Sequence, residues 1–312
     1  MEAADVLLLD VEPREAADVR DNLDVDPAVF SFDGGTAHAI EAAHERIHFD
    51  EAFVSLLGTF SNHFGHWLWQ YLPKYLTAIA SGELPAMPIL IDAGMPPQHR
   101  QALEMVVRGD APIVEVGGHQ EAVVRRAWCA PMLAYIPLYQ DIGEQYPGHV
   151  TTVPSRYGAT VSAMRSRAAE TIAAQRFSRV FLARRPSGKH DVANAERIAA
   201  LLASCGYAVV YPEEHSFEEQ VAIVGHARRI VAADGSAIFL AFAAPRGAKI
   251  CLLYQDESFG HAVSITSILE GAGLDVTLLT GRVVGDRGIH FPISAHYEID
   301  EALLCDFLRS FD

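Results

Sequence analysis

Basic side chains are scarce in this sequence: 24 Lys and Arg stand against 40 Asp and Glu, a net charge of -16. Such a surface repels polyanions, which excludes nucleic acid or an anionic membrane as the main partner and leaves room only for a local basic pocket around a phosphate. Long apolar runs are missing as well. The longest, Ala237 to Pro245, falls far short of the ~20 residues that cross a bilayer. The opening Met1-Glu2-Ala3-Ala4-Asp5 has no basic segment followed by an apolar stretch, so no targeting segment and a cytoplasmic location are expected. Cysteine is confined to Cys129, Cys205, Cys251 and Cys305. Without close pairs they form no zinc or dithiol motif, and reduced core side chains are expected.

Several chemistries lack their signatures. There is no G-x-S-x-G elbow, no H-E-x-x-H, no Walker loop and no G-x-G-x-x-G after a strand, which weighs against hydrolase, zinc-protease, NTPase and ordinary dinucleotide-dehydrogenase readings. Asp24-Val25-Asp26 spaces two carboxylates as a metal site would, but it precedes Pro27 in an acidic turn. A metal needs more oxygen ligands than this tripeptide holds, so a solvated turn is expected. Internal repeats and low-complexity tracts are absent from the sequence.

What is present is an alternating α/β pattern with half of its residues hydrophobic. The first forty residues read as an edge strand, Val6 to Leu9, with acidic turns and a Gly34-Gly35 break. Phe53 to Ile79 is richly apolar and turns helical after Gly65, with Pro73 kinking or restarting the helix. A strand at Met87 to Ile91, a helix at Pro96 to Arg108, a strand at Pro112 to Val116 and an apolar element at Ala127 to Tyr135 complete a first unit. Gly143 to Ser155 is polar and small, and sets the boundary: residues 1–155 form one domain, 156–298 a second, and 299–312 an amphipathic helix that docks across a domain face.

The second unit opens with a helix from Gly158 to about Gln175. Its strands are Val180 to Ala183, Ala208 to Tyr211, Arg229 to Ala233 and Lys249 to Tyr254, separated by helices at Asn194 to Ser204, after the capping box Ser216-Phe217-Glu218-Glu219 to near Ala227, and at Ala237 to Ala243. This alternation predicts a parallel, doubly wound sheet whose ligand lies at the carboxyl ends of the strands. There the sequence puts Arg184-Arg185, Glu213-Glu214 and Asp234-Gly235-Ser236.

Each of these residues has two readings. Arg184, Arg185 and Lys189 are either a solvated basic loop or a clasp for a pyrophosphate, which a planar guanidinium meets with two parallel hydrogen bonds. Gly235 and Ser236 open a helix whose free N–H groups suit a phosphate, as every helix start does. Asp234 either caps that helix or accepts from a ribose or sugar hydroxyl. Glu213 and Glu214 either bind ribose hydroxyls or favour the dipole of the next helix. His66 is either a hydrogen-bonded rim residue or a base that takes a proton from an acceptor hydroxyl.

Asn62-His63-Phe64-Gly65-His66-Trp67-Leu68 with Leu72-Pro73, then Phe181-Leu182-Ala183-Arg184-Arg185, then Glu213-Glu214-His215-Ser216-Phe217-Glu218-Glu219-Gln220 follow one another in the chain. Ala227-Arg228-Arg229-Ile230-Val231 and Asp234-Gly235-Ser236-Ala237 continue the series. Together they resemble glycosyltransferase family 61 over about residues 45 to 305. The resemblance implies a GT-B fold of two Rossmann-like domains facing a cleft. It also implies inverting, metal-independent transfer from a nucleotide sugar, expected to be UDP-linked, to a glycan or capsular polysaccharide hydroxyl, with no cofactor.

Carried over by position, the resemblance gives the Arg184-Arg185 segment and the Gly235 turn to the donor diphosphate and Glu214, Ser216 and Gln220 to its nucleotide side, and matches His66 to the family's His before an aromatic residue. With the readings above, His66 is expected as the catalytic residue, Asn62 and His63 on the acceptor side, and Lys189, Glu213, Asp234 and Ser236 beside the donor. Where the family has His-Gly-Ala, this chain has Asp234-Gly235-Ser236, an anion in the place of a cation beside the diphosphate. That departure motivates a second reading, a non-catalytic nucleotide-sugar or glycan-binding protein with the same fold.

Overall fold

The computed structural model describes residues 29–33, 36–39, 45–58, 60–80, 87–107, 111–118, 120–129, 158–171, 177–187, 190–256, 259–285 and 295–311. The expected strand at Val6 to Leu9, the Asp24-Val25-Asp26 turn, the Gly34-Gly35 break, the boundary from Gly143 to Ser155 and Lys189 all lie outside the described residues.

A short antiparallel ribbon of β1 (Val29–Asp33) and β2 (Thr36–Ala39) precedes the first sheet. That sheet contains β3 (Glu45–Ser55), β4 (Ile89–Asp92), β5 (Ile113–Val116) and β6 (Gln120–Trp128), parallel throughout, in the order β5-β4-β3-β6. The amphipathic start of β3 mixes charged and exposed positions, which hides its first eight residues from an apolar-run reading that begins at Phe53. The apolar element expected from Ala127 is the end of β6 as far as Trp128.

Between β3 and β4 the chain passes through α1 (Phe64–His66), a π turn (Trp67–Tyr71) and α2 (Leu72–Ala80). Pro73 has no N–H for the carbonyl four residues before it, and the wide turn just ahead absorbs that break. Leu72 N–H reaches back five residues to the Trp67 carbonyl. All five residues of the π turn are buried. Helix α3 (Pro97–Val106) lies between β4 and β5, and α4 (Gly158–Glu170) leads into the second sheet.

The second sheet contains β7 (Arg179–Leu182), β8 (Ala208–Val210), β9 (Arg229–Ala233), β10 (Lys249–Gln255), β11 (Asp275–Val283) and β12 (Tyr297–Glu298), in the order β8-β7-β9-β10-β11-β12. It is parallel except for β12. Near-continuous apolar runs such as Ile250 to Tyr254 fit strands covered on both faces. The connecting helices are α5 (Ala195–Ser204), α6 (Phe217–Val224) and α7 (Phe259–Gly271). The capping box at Ser216 and Glu219 is formed in both directions, and Gly225 ends α6 slightly earlier than Ala227.

Two expectations change. Ser236–Ala243 is a 3₁₀ turn rather than an α-helix. Ile238 to Ala243 are all buried, so no polar face imposes the 3.6-residue period. Among the cysteines only Cys251 is in the core; Cys205 and Cys305 are half-buried, Cys129 is exposed, and all four are free thiols.

Helix α8 (Glu301–Phe311) buries Leu304, Leu308 and Phe311 against Phe181, Leu202, Val231 and Leu253 of the second sheet and its helix. Asp300 caps it, accepting from Ala302 and Leu303 N–H at 2.8 and 3.0 Å. The main core runs through both sheet units, joining Leu56, Trp67 and Leu72 to Val180, Ile230, Leu240 and Leu252.

Strand order fixes where a ligand can sit. From β7 the chain steps to β8 on one side and then to β9 on the other, so the crevice opens at the carboxyl ends of β7 and β9. In the first sheet the same reversal falls between β3 and β6, and the segment carrying Asn62 and His63 leaves the carboxyl end of β3.

Candidate functional site

The loops after β7, β8 and β9 converge, with the β7 loop in the middle. Arg184 Nη1 donates to the Asp234 carbonyl at 3.1 Å, and Nη2 donates to Ser187 Oγ at 2.7 Å. Gly235, between Asp234 and the 3₁₀ turn, has φ 145 and ψ 173. A Cβ there would come within 3.1 Å of Arg184 Nη1. Glycine therefore serves twice: it adopts a backbone state that side chains resist, and it leaves the guanidinium its space.

Arg185 turns to the other neighbour. Its Nε donates to Glu214 Oε1 at 3.1 Å, its Nη2 pairs with the same oxygen, and its guanidinium lies over the Tyr211 ring at 3.6 Å. Arg185 N–H donates to Glu213 Oε1 at 3.1 Å. Thus Arg184 belongs to the β7–β9 crevice, while Arg185, Glu213 and Glu214 form a separate exposed cluster toward β8. The Arg185 charge there already has a carboxylate partner.

Ser216 and Gln220 serve the backbone. Ser216 caps α6. The buried Gln220 amide donates to the Pro212 carbonyl at 2.6 Å and to that of His215 at 3.1 Å, holding the Pro212–Glu214 turn.

The first sheet meets this crevice from across the core. Gly65 packs so closely on the 3₁₀ turn that a Cβ would lie 3.1 Å from the Phe239 ring, and Trp69 stacks on Phe239 at 6.2 Å. This contact brings His63 to 3.3 Å from Ser236 Oγ. His66 lies 5.0 Å from His63, ring centre to ring centre. Asn62 beside them is exposed.

The loop before these histidines is held in a constrained shape. Phe60 has φ 63 and stacks on His66 at 4.9 Å. Asp92, at the end of β4, accepts from Gly58 N–H at 3.2 Å and from Ser61 Oγ at 2.5 Å. His66 Nδ1 is 2.6 Å from the Gln70 amide oxygen. That oxygen only accepts, so Nδ1 carries the hydrogen and Nε2 is the basic nitrogen of the neutral ring.

The His63 imidazole is pushed down to about 3, by desolvation first and then by the nearness of the ionisable His66, His190, His99 and Arg184. His63 nevertheless keeps open surface. A surface cavity of about 490 Å³ lined by Val161, Arg165, Arg246 and Glu270 lies elsewhere, at the amino ends of the strands, beside the turns that lead into β10 and β11.

Two residues that sequence reasoning missed complete the crevice. His190 Nδ1 is 2.9 Å from Asp234 Oδ2. Under Asp234, the Tyr297 hydroxyl accepts from Asp234 N–H at 3.2 Å and donates to the Leu253 carbonyl at 2.9 Å. Burial, and then the Asp234 charge, holds the phenols of Tyr297 and Tyr254 well above the usual tyrosine range. Neither residue lies in the quoted motifs, and a lone His in a loop carries no periodic signal. Among the described residues no group of three or more His, Cys, Asp or Glu is arranged to hold a metal ion.

The family model for Glycosyltransferase 61 matches residues 64–251, from α1 to the start of β10. Among curated proteins nothing matches the chain.

Proposed function

From the premise that this chain belongs to the glycosyltransferase 61 family, and is a glycosyltransferase, we propose that it transfers a sugar with inversion from a UDP-linked donor to a hydroxyl of a glycan acceptor. In this reading the two sheet units, residues 1–155 and 156–298, act as the halves of a GT-B cleft, with residues 299–312 as the C-terminal helix. The setting is polysaccharide synthesis, of a capsular type on the cytoplasmic side. Among the described residues no helix is long and apolar enough to cross a membrane.

The observation that carries this reading is the junction of Arg184, Gly235 and Ser236 at the β7–β9 crossover with His63 and His66 from the first sheet. The donor's diphosphate would bind Arg184 and the N–H groups after Gly235, where no side chain intervenes. These groups would neutralise the charge that grows on the leaving nucleoside diphosphate, the work a metal does in other transferases. The acceptor hydroxyl would approach from the first sheet, past Asn62 and His63. His66 would take its proton on Nε2 as the oxygen attacks the anomeric carbon and the bond to phosphate breaks on the opposite face. Arg185, Glu213 and Glu214 would flank the nucleoside, while Gln220 would contribute by holding the turn that presents Glu214 and Ser216 caps the helix that follows.

The test offers the purified protein a panel of UDP- and GDP-sugars with EDTA present and a broad set of acceptors, and follows nucleotide release and product. Turnover with at least one UDP-sugar is expected, reduced at least a hundredfold in Arg184→Ala and His66→Asn, on the order of removing an electrostatic or a base contribution. Full activity in His66→Asn would remove the base assignment.

A further inference from the structure

The pair made by His190 and Asp234 has no part in the proposal above. Asp234 is only 4% exposed, and a buried carboxylate is retained only with a good donor. His190 supplies it at 2.9 Å. A carboxylate at this site accepts, so Nδ1 of His190 carries the hydrogen. Arg184 Nη1 lies 3.1 Å from Nε2 and 3.3 Å from Nδ1 of the same ring, so the guanidinium sits over the imidazole face. In the free protein His190 thus donates to Asp234 while its face lies against Arg184. His190 is also a non-glycine residue at φ 42, a backbone state that persists only where surrounding contacts determine it.

We propose that His190, oriented by Asp234, is a further ligand of the donor's diphosphate. The inference rests on the donor site described above, since it needs a diphosphate at Arg184. Phosphate oxygens held by the Arg184 Nη donors would lie within reach of Nε2 of His190. The protonated ring would donate from Nε2 to phosphate, with Asp234 as counter-charge at Nδ1. Asp234 does not touch the diphosphate and is a positioning residue. The ionisable groups that face His190 are Asp234 from the β9 loop, Arg184 from the β7 loop and His63 from the loop after β3. Asp191 is adjacent in the chain, and Tyr297 lies beneath Asp234.

Isothermal titration of the full chain with UDP, and with uridine as the probe lacking phosphates, tests this. His190→Gln and Asp234→Asn should each weaken UDP binding about tenfold, as loss of a charge-assisted hydrogen bond does, and leave uridine binding unchanged. The double variant should be no weaker than His190→Gln. Asp234→Asn discriminates sharply, because removing an anion beside a diphosphate would by charge alone tighten binding. Near-UV circular dichroism checks that the Asp234 variant is folded, and the half-exposed His190 variant keeps the test standing if it is not.

UDP binding by His190→Gln equal to wild type, or binding by folded Asp234→Asn as tight as wild type or tighter, overturns the proposal. If Arg184→Ala loses UDP while His190→Gln retains it, this inference falls and the donor site stands. If the folded wild type binds neither UDP nor GDP, both fall.

Discussion

Replacing Gly235 by alanine tests the crevice where backbone and guanidinium meet. Its φ of 145 and ψ of 173 lie in a region that side chains other than glycine resist, at about 1–3 kcal/mol. The new Cβ would stand 3.1 Å from Arg184 Nη1 and 3.6 Å from its Cδ. The end of a long side chain can shift by a few tenths of an ångström, so the steric share of the stability loss is small. The shift does, however, disturb the Nη1 bond to the Asp234 carbonyl and with it the aim of the guanidinium. A charge-assisted bond contributes about 1.5–3 kcal/mol, or roughly ten- to a hundredfold in Kd. Gly235→Ala should therefore unfold at a lower urea midpoint and bind UDP at least tenfold more weakly. The two effects separate in an Arg184→Ala background, where the backbone strain persists and the further loss of affinity disappears. Unchanged urea midpoint and affinity in Gly235→Ala, or an affinity loss equally large without Arg184, would refute the reasoning.

Ser216→Ala should lower stability by about 1 kcal/mol, the usual worth of an N-cap, and leave UDP affinity unchanged because Ser216 serves Glu219 and α6; urea unfolding and titration calorimetry read the two. Asp92→Ala removes the acceptor shared by Gly58 N–H and Ser61 Oγ, at about 1–3 kcal/mol for the groups left unpaired. Turnover should fall while the Kd for UDP holds, since the loop it frees leads to His63 and His66. Stability should also decline with acid through the histidines. Burial pushes His99 down to about 4, against the neighbouring carbonyls of His63, Asn62 and Pro96, and His63 goes down to about 3. Below the ordinary value of 6.5 the unfolded chain binds protons that the folded chain refuses, so this stability is complete above 6.5 and is lost as pH falls toward 4. Because the open surface of His63 screens its share, His99→Leu should flatten the urea midpoint between pH 4.5 and 7.5 more than His63→Asn does.

Four of the six strands of the second sheet were legible, because parallel strands covered on both faces are written as apolar runs; β11, with exposed positions along its length, and the two-residue β12 were not read. Arg229 to Ala233 was read with its observed ends, and the Ser216 box predicted a cap that forms on both sides. Strand β3 was not, since its first eight residues mix His, Arg, Asp and Glu with apolar positions and pair with β6 more than seventy residues away. The helix after Gly235 was read with nearly the right bounds and the wrong type, because an all-apolar segment has no period to reveal its pitch. At the site, single residues beside strand ends could be read and their partners could not. Arg184 and Arg185 look equivalent in sequence, yet adjacent side chains on an extended segment leave on opposite sides. One meets Asp234 and the other Glu214.

Asp234 shows why the sign of such a site cannot be taken from its turn. Read as a tripeptide, Asp234-Gly235-Ser236 adds an anion where a dianionic ligand is expected, and at 4 Å two like charges at a near-surface dielectric repel by about 4 kcal/mol. In the fold that carboxylate is nearly enclosed, and its Oδ2 meets His190. The carbonyl of the same residue takes an Arg184 donor, and its N–H goes to Tyr297. Each polar group of Asp234 is thereby directed at a protein partner, and two of those partners are cationic or can become so. Arg184 and His190 come from one loop, six positions apart, on the neighbouring strand. An anion in the β9 turn is compatible with a diphosphate when the β7 loop supplies its counter-charge, so the two loops must be read as one unit in which a change at Asp234 is a change at His190.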